Sequence, residues 1–324
     1  MQIMPDVSTI RKILVVGAGT MGHGIAQSFA QEGFNVALYS RTAETLERAR
    51  SLIDYSLQAF VKEKMIAKKD IPAILNRIDF TQSLDKAAAD SDIAFETVVE
   101  NREAKIDIFD RLDKLCPPKT LLASNTTALN VFDFVKTSRP DKVLISHWYA
   151  PPQIIPLVDV VKGPDTSEES VYLMATLLKR IGKAPLVLKK FISGYLLSRL
   201  QIAMLGEIFY LLDSDIITPE QLDTAAKTGL ALRMMVVGLV QRMDFGGLDL
   251  TVRNYENPYM RKQLTPRDYK PEKIYELVRA GHFGVKTGKG FYDYSGRTEA
   301  EVCYERDIKL IKMLRAYREL ESSE

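Results

Sequence analysis

The sequence predicts an α/β chain, a doubly wound and mainly parallel sheet followed by an all-helical C-terminal part. Three observations carry that reading. The apolar run Lys12-Ile13-Leu14-Val15-Val16 turns into Gly17-Ala18-Gly19-Thr20-Met21-Gly22 and opens an amphipathic helix marked by Ile25 and Phe29. Strand-like and helix-like segments then alternate, the pattern of parallel strands joined by crossover helices. After Lys189-Lys190 the composition shifts and the apolar spacing becomes helical.

The glycine turn has a mechanism for each of its parts. Gly17 permits the tight turn, and Gly19 lets backbone approach a pyrophosphate. Gly22 lets the helix pack closely on the strand and aim its N-terminal N–H groups at phosphates. A second strand, Asn35-Val36-Ala37-Leu38-Tyr39, follows the helix, which makes this a Rossmann-like dinucleotide site with Gly17, Gly19, Thr20, Met21 and Gly22 as candidate contacts. The competing reading is a glycine-rich βα turn that holds nothing. After the second strand an Asp or Glu would accept hydrogen bonds from the adenine ribose of NAD. Here the chain has Ser40-Arg41-Thr42. Ser40 removes a carboxylate that would repel a 2′-phosphate, and Arg41 supplies a fork that suits one. NADP(H) is therefore favoured over NAD(H), the competing reading being a solvated Arg41 with NAD held by stacking.

The charged stretch from Glu44 to about Asn76 is too long for a simple crossover and reads as a helical hairpin. A strand follows at Ile93–Val98 and a helix at Arg102–Leu115, which Pro117-Pro118 ends before a strand at Leu121–Ser124. Further β runs fall at Lys142–Ser146, Ile155–Val161 and Pro185–Leu188, with a helix at about Glu168–Ile181. From Gly194 to Leu212 the apolar residues recur at helical spacing. Thr218-Pro219-Glu220 then reads as an N-cap, an N1 proline and an acidic first turn opening a helix toward Lys227. The expected domains are residues 1–190, which bind the dinucleotide, and 191–324, helical.

Composition narrows the function. The 324 residues carry 44 Lys+Arg against 42 Asp+Glu, a net charge of +2, so nothing global argues for nucleic acid or an anionic membrane. Cys116 and Cys303 show neither metal spacing nor a disulfide framework, as in a reduced compartment. His23, His147 and His282 are too few for a multi-histidine metal site, and no metal is expected. Met1–Asp6 lacks the apolar core of a signal peptide and no segment is apolar enough to span a bilayer, so the default location is cytoplasmic.

In doubly wound sheets ligands lie outside the carboxyl ends of strands. Glu100-Asn101, Ser124-Asn125-Thr126-Thr127 and His147-Trp148-Tyr149-Ala150-Pro151-Pro152 all occupy such positions. Hydride transfer at a carbinol needs a group that takes or gives the hydroxyl proton, and imidazole, titrating near neutrality, suits it. A carboxylate on its far nitrogen would fix the tautomer, and Asp159 on the next strand is placed to fold back and supply it. The competing reading of His147 is a satisfied structural histidine.

Taken together these segments resemble the 3-hydroxyacyl-CoA dehydrogenase family over almost the whole chain. The glycine turn with Met21, Val99-Glu100-Asn101 with Lys105, and Ala123-Ser124-Asn125-Thr126 are similar to its signatures. So are His147 with a carboxylate twelve residues later, Ile181-Gly182-Lys183 leading into Gly194-Tyr195, and the closing Gly284-Val285-Lys286-Thr287-Gly288-Lys289-Gly290-Phe291-Tyr292. The resemblance implies that His147 is the general acid/base and Asp159 its orienting partner. It implies that Glu100, Lys105 and Asn125 lie along the nicotinamide end, and that the chain is a homodimer through its C-terminal domain. The apolar Leu230-Ala231-Leu232 and Met234-Met235-Val236-Val237 favour the same interface. The expected activity is NAD(P)-dependent interconversion of a 3-hydroxyacyl group, most simply as its CoA thioester, with the 3-oxo form.

The chain departs from the family in the shell around the reaction. Asp159 stands for the usual Glu, Thr127 for a Ser and keeps a hydroxyl for the substrate oxygen, and Ala150 and Ser198 replace asparagines. His147-Trp148-Tyr149-Ala150-Pro151-Pro152 and Gly229-Leu230-Ala231-Leu232-Arg233 resemble a branch that acts on free hydroxy acids, such as gulonate and carnitine dehydrogenases. In such a site Ser198 and Arg233 would face the substrate, with Arg233 gripping a carboxylate, its competing reading being a surface or interface salt bridge. The alternatives are thus a dehydrogenase of a small free hydroxy acid, or a cofactor-binding protein with little turnover.

Overall fold

Eight strands form one sheet in the order β3-β2-β1-β4-β5-β6-β7-β8. They are β1 Lys12–Val16, β2 Asn35–Tyr39, β3 Ile78–Thr81, β4 Ile93–Glu96, β5 Leu121–Ser124, β6 Val143–Trp148, β7 Leu157–Lys162 and β8 Ala184–Leu188. The structure, a computed structural model, describes residues 7–259, 270 and 272–321; the Met1–Asp6 segment read for a leader lies outside them. Neighbouring strands are parallel except β6 and β7, which run antiparallel. The strand order reverses direction between β1 and β4, so a crevice opens at their carboxyl ends, where such sheets take ligands.

The helices of the sheet region are α1 Gly22–Gln31, α2 Ala43–Lys62, α3 Ile71–Asn76, α4 Leu84–Ala88, α5 Arg102–Leu115 and α6 Glu168–Arg180. Both faces of the sheet are covered, and alternation along β1 shows how. Ile13 and Val15 join one buried cluster with Phe29, Phe95 and Trp148, while Leu14 and Val16 join another with Ala37, Phe109 and Leu112. The helical hairpin forms as α2, a 3-10 turn and α3, the chain reversing near Lys64 at φ 58°. The sequence reading missed β3 and α4, segments of four and five residues that are too short to show a period. The strand expected at Ile93–Val98 stops at Glu96: Thr97 N–H still donates to Val16 O, but the Val98 N–H is taken by the Glu96 carboxylate instead of a neighbouring strand.

The described residues divide into two compact units, one within Met1–Tyr195 together with Cys303–Glu324, the other within Leu196–Val302. The sequence reading drew its boundary at 190 and kept the last helix with the helical part. That helix, Glu299–Glu321, instead buries Ile308, Ile311 and Leu314 against Ala59, Phe60 and Ile154 of the sheet unit. The second unit contains α7 Leu197–Asp213, α8 Pro219–Ala225, α9 Leu232–Val237, α10 Gln241–Gly246, α11 Leu248–Glu256 and α12 Lys273–Arg279. The Thr218 hydroxyl accepts from Gln221 N while the Gln221 side chain accepts from Thr218 N, a complete capping box at the expected start of α8. Among the described residues no helix is long and apolar enough to cross a membrane.

Candidate active site

The glycine turn is fixed by contact. Gly17 has φ +113°, and a Cβ on it would lie 2.8 Å from Thr97 O. A Cβ on Gly22 would lie 1.7 Å from Gly17 O, so only glycine lets α1 start there. The Thr97 hydroxyl donates to Val16 O and Gly17 O and locks the turn from the far side. Gly19 has nothing within 4 Å of its would-be Cβ, leaving open space where a pyrophosphate would approach. The first turn of α1 carries no acidic residue and no side-chain cap, so its N–H groups are left for an anion. Thr20 is exposed beside them, whereas Met21 packs its side chain on the core and offers the site only backbone. These features fit a dinucleotide.

A cavity of about 350 Å³ continues from the turn and is lined by Gly17, Gly19, Ser40, Arg41, Val99 and Arg111, among others. Ser40 is buried, and Arg41 is exposed at the rim with its carbonyl held by the Gln82 amide. Arg111, on α5, adds a second cation to this cavity that the sequence reading missed, because nothing local ties a mid-helix arginine to the end of β2.

At the carboxyl end of β4 a buried ion cluster organises the next segment. Lys105 Nζ lies 2.9 and 3.0 Å from the two oxygens of Glu96 and 3.3 Å from Glu100 Oε2. Glu96 also accepts from Ser124 Oγ at 2.6 Å and Val98 N at 2.8 Å. With Lys105 and Glu96 at 1% and 0% side-chain exposure, this pair sits where an unpaired charge is prohibitively costly. Glu100 Oε1 gathers the Thr126 hydroxyl and the N–H groups of Thr127, Ala128 and Leu129. Burial pushes the Glu100 carboxyl up, but the Thr126 hydroxyl, the Ala128 and Leu129 amides and the Lys105 ammonium together hold it below its ordinary value. The sequence reading named Glu100 and Lys105 but missed Glu96, whose signal was a carboxylate closing an otherwise apolar strand. Asn125 Oδ1 accepts from Trp148 N at 2.8 Å and ties the end of β5 to the end of β6, while Thr127 is exposed beside it.

The antiparallel β6/β7 pair sets His147 directly across from Asp159. His147 Nδ1 lies 3.3 Å from Asp159 Oδ2, with His147 almost buried and Asp159 fully so. Tyr149 donates its hydroxyl to the same oxygen at 2.6 Å. The rings of Tyr149 and Tyr195 both lie 4.7 Å from the imidazole, and Tyr195 donates its hydroxyl to Thr126 O. Burial, with the nearby charges of Glu100 and Asp159, raises the Tyr195 phenol far above its ordinary range and keeps it neutral. Neither tyrosine's contact was read from the sequence.

Ser198 and Arg233 belong to the other unit. Ser198 is half-buried near the start of α7; Arg233 is exposed on α9 and donates Nε to Gly229 O, one turn back. His23 binds Gly19 O through Nδ1, and among the described residues no group of His, Cys, Asp and Glu is arranged to hold a metal.

The family description "3-hydroxyacyl-CoA dehydrogenase, NAD binding domain" matches residues 12–191, and "3-hydroxyacyl-CoA dehydrogenase, C-terminal domain" matches residues 194–294. The probable 3-hydroxybutyryl-CoA dehydrogenase of Bacillus subtilis is 33% identical over 291 residues, covering 89% of this chain and 99% of its own length. The 5-formyl-3-hydroxy-2-methylpyridine 4-carboxylate 5-dehydrogenase of Mesorhizobium japonicum is 30% identical over 310 residues, covering 94% and 98%. A crystal structure of a 5-dehydrogenase of that pyridine carboxylic acid, described as an NAD+ dependent dismutase, superposes with a TM-score of 0.84 at 29% identity over 96% of this chain and 99% of its own. The (S)-3-hydroxybutyryl-CoA dehydrogenase of Ralstonia eutropha gives 0.66 at 29% identity, over 89% and 100%.

Proposed function

The chain belongs to the 3-hydroxyacyl-CoA dehydrogenase family, and from that premise we propose that it interconverts a 3-hydroxyacyl-CoA and its 3-oxo form with NADP(H), using His147 as general acid/base. The observation that carries this reading is the register of β6 against β7, which holds a nearly buried imidazole against a buried carboxylate beside the cofactor crevice. A bound nicotinamide supplies the acceptor or donor of the hydride. Gly17, Gly19, Thr20, Met21 and Gly22 would hold the pyrophosphate. Ser40 and Arg41 would hold the adenosine end, and Glu100, Lys105 and Asn125 would support the nicotinamide end. In oxidation His147 Nε2 takes the hydroxyl proton while Asp159 steadies the imidazolium through Nδ1. Thr127 and, from the helical unit, Ser198 are assigned to the substrate.

A second reading, a small free acid as substrate, draws on the superposition with the pyridine-carboxylate enzyme, with Arg233 as the carboxylate grip. Kinetics on acetoacetyl-CoA and on free 3-oxo acids separate the two. Efficient acetoacetyl-CoA reduction insensitive to Arg233→Ala supports the thioester; a roughly tenfold or larger rise in KM on the free acid with Arg233→Ala supports the second reading. His147→Gln should lower turnover by roughly two to four orders of magnitude with cofactor binding intact. Wild-type turnover in that variant would overturn the assignment. Absence of turnover on any substrate beside tight cofactor binding would leave a binding protein.

The domain division drawn from the sequence, a dinucleotide domain followed by a helical domain for substrate and dimerisation, is part of the same proposal, as is a homodimer through the exposed apolar residues of Leu196–Val302. A cytoplasmic location belongs to the same proposal.

A further inference from the structure

Two donors converge on one oxygen beside the proposed base. His147 Nδ1 and the Tyr149 hydroxyl both address Asp159 Oδ2, at 3.3 and 2.6 Å, while Asp159 Oδ1 is buried with no hydrogen-bond partner. The two-residue period of an extended chain brings His147 and Tyr149 to one side. Trp148 goes to the other, where it packs on Phe29 and Phe95. The Tyr149 contact has the length of a strong hydroxyl–carboxylate bond, whereas the imidazole contact lies beyond the usual N–H···O range. The larger share of the Asp159 charge is therefore taken by the phenol.

Resting on the reading of His147 as the acid/base, we propose that Tyr149 is a positioning residue that holds Asp159 and rations the negative charge offered to the imidazole. A carboxylate free of Tyr149 would stabilise the imidazolium more and keep His147 protonated to higher pH. Shared with Tyr149, the same carboxylate still orients Nδ1–H but offers less of its charge to the ring that takes the hydroxyl proton in oxidation. The other charged and titratable groups nearby are engaged. Tyr195 donates its hydroxyl to Thr126 O, and Glu96 and Glu100 share Lys105.

The test is the pH profile of kcat/KM for alcohol oxidation in the wild type, Tyr149→Phe, Asp159→Asn and the double variant. Tyr149→Phe should move the acidic limb to higher pH by roughly one unit, the size expected for loss of a hydrogen bond to a charged group. In the Asp159→Asn background the same substitution should leave the limb where it was. Incorporating 3,5-difluorotyrosine at position 149, a stronger donor of nearly the same shape, should move the limb the other way, and does so even if Tyr149→Phe folds poorly. An unmoved limb, whether the rate is unchanged or falls evenly across pH, would reduce Tyr149 to packing and overturn the proposal. So would an equal shift in both Asp159 backgrounds. His147→Gln separates the failures: if its limb persists, the identity of the base is wrong, and the Tyr149 coupling is then judged by the two Asp159 backgrounds alone.

Discussion

The two compact units differ in what they hide. In the sheet unit the side chains of Ile13, Leu14, Ile25, Phe29 and Phe95 are wholly buried, and even its charged pair, Lys105 with Glu96, is enclosed and bonded. In the Leu196–Val302 unit Leu212 is the only buried hydrophobic among the described residues, while Phe245, Val240 and Leu232 are 76%, 72% and 66% exposed. A sheet flanked by helices closes its own core. A chain of short helices such as α8 to α11 presents apolar stripes that it has too little neighbouring structure to cover. Polar chemistry is best held rigid in the first kind of surroundings, and the second kind is best completed by another surface.

The largest expected effect tests the closure of the sheet unit. Lys105→Met removes the cation and leaves Glu96 buried without it, which should cost roughly 3–5 kcal/mol in chemical denaturation. A loss under about 1 kcal/mol would mean that water reaches this interior and that the contrast between the units is weaker than their burial suggests. Next comes the rim of the cavity proposed for the cofactor. Arg41→Ala should reduce the preference for NADP(H) over NAD(H) by roughly 1–3 kcal/mol in titration calorimetry. Equal or tighter binding of NAD(H) by the wild type would remove the assignment of Arg41.

A smaller effect is expected in the helical unit. Phe245→Asp should change the stability of the isolated subunit by no more than about 0.5 kcal/mol, since the ring is exposed, yet raise the dissociation constant of the proposed dimer about tenfold or more. Light scattering across a dilution series measures this, and a wild type that is monomeric at micromolar concentration would break the comparison on that side. The smallest effect is electrostatic. The folded-state titration of Glu100 lies below its ordinary value of 4.5, so the stability it contributes is fully present above that value. It fades as pH falls through the folded value. The melting temperatures of wild type and Glu100→Gln should therefore differ at pH 7 and converge toward pH 3; a constant difference would assign Glu100 a role independent of its charge.

Much of this arrangement was legible in the sequence where the cause is local. The glycine turn follows from backbone sterics within a few residues, and the proposed contacts at Gly17, Gly19 and Gly22 were found because each glycine serves one step of that turn. Helices α5 and α6 were read nearly to the residue, α5 ending before the break at Pro117-Pro118; the structure adds their caps, Asn101 and Ser167. The strand Ile78–Thr81 was not legible, because four residues at a sheet edge leave no period to detect. Tyr149 was passed over for a related reason: its partner is ten residues away on another strand, and no rule of spacing selects which hydroxyl a buried carboxylate will take.

By itself the sequence determined the alternation of strands and helices, the glycine turn and the helical character of the second part. Those features depend on propensity, period and turn chemistry, which act over a few residues. Only the tertiary structure decided that β7 runs against β6 and so brings Asp159 across from His147. It alone decided that Glu96, Lys105 and Glu100 share one buried cluster that draws in residues 126–129, and that the final helix returns to Phe60 and Ile154. Each of these joins residues distant in sequence, and the choice among distant partners is made by burial, since a charge or an apolar face removed from water must find whatever the folded chain has brought within reach.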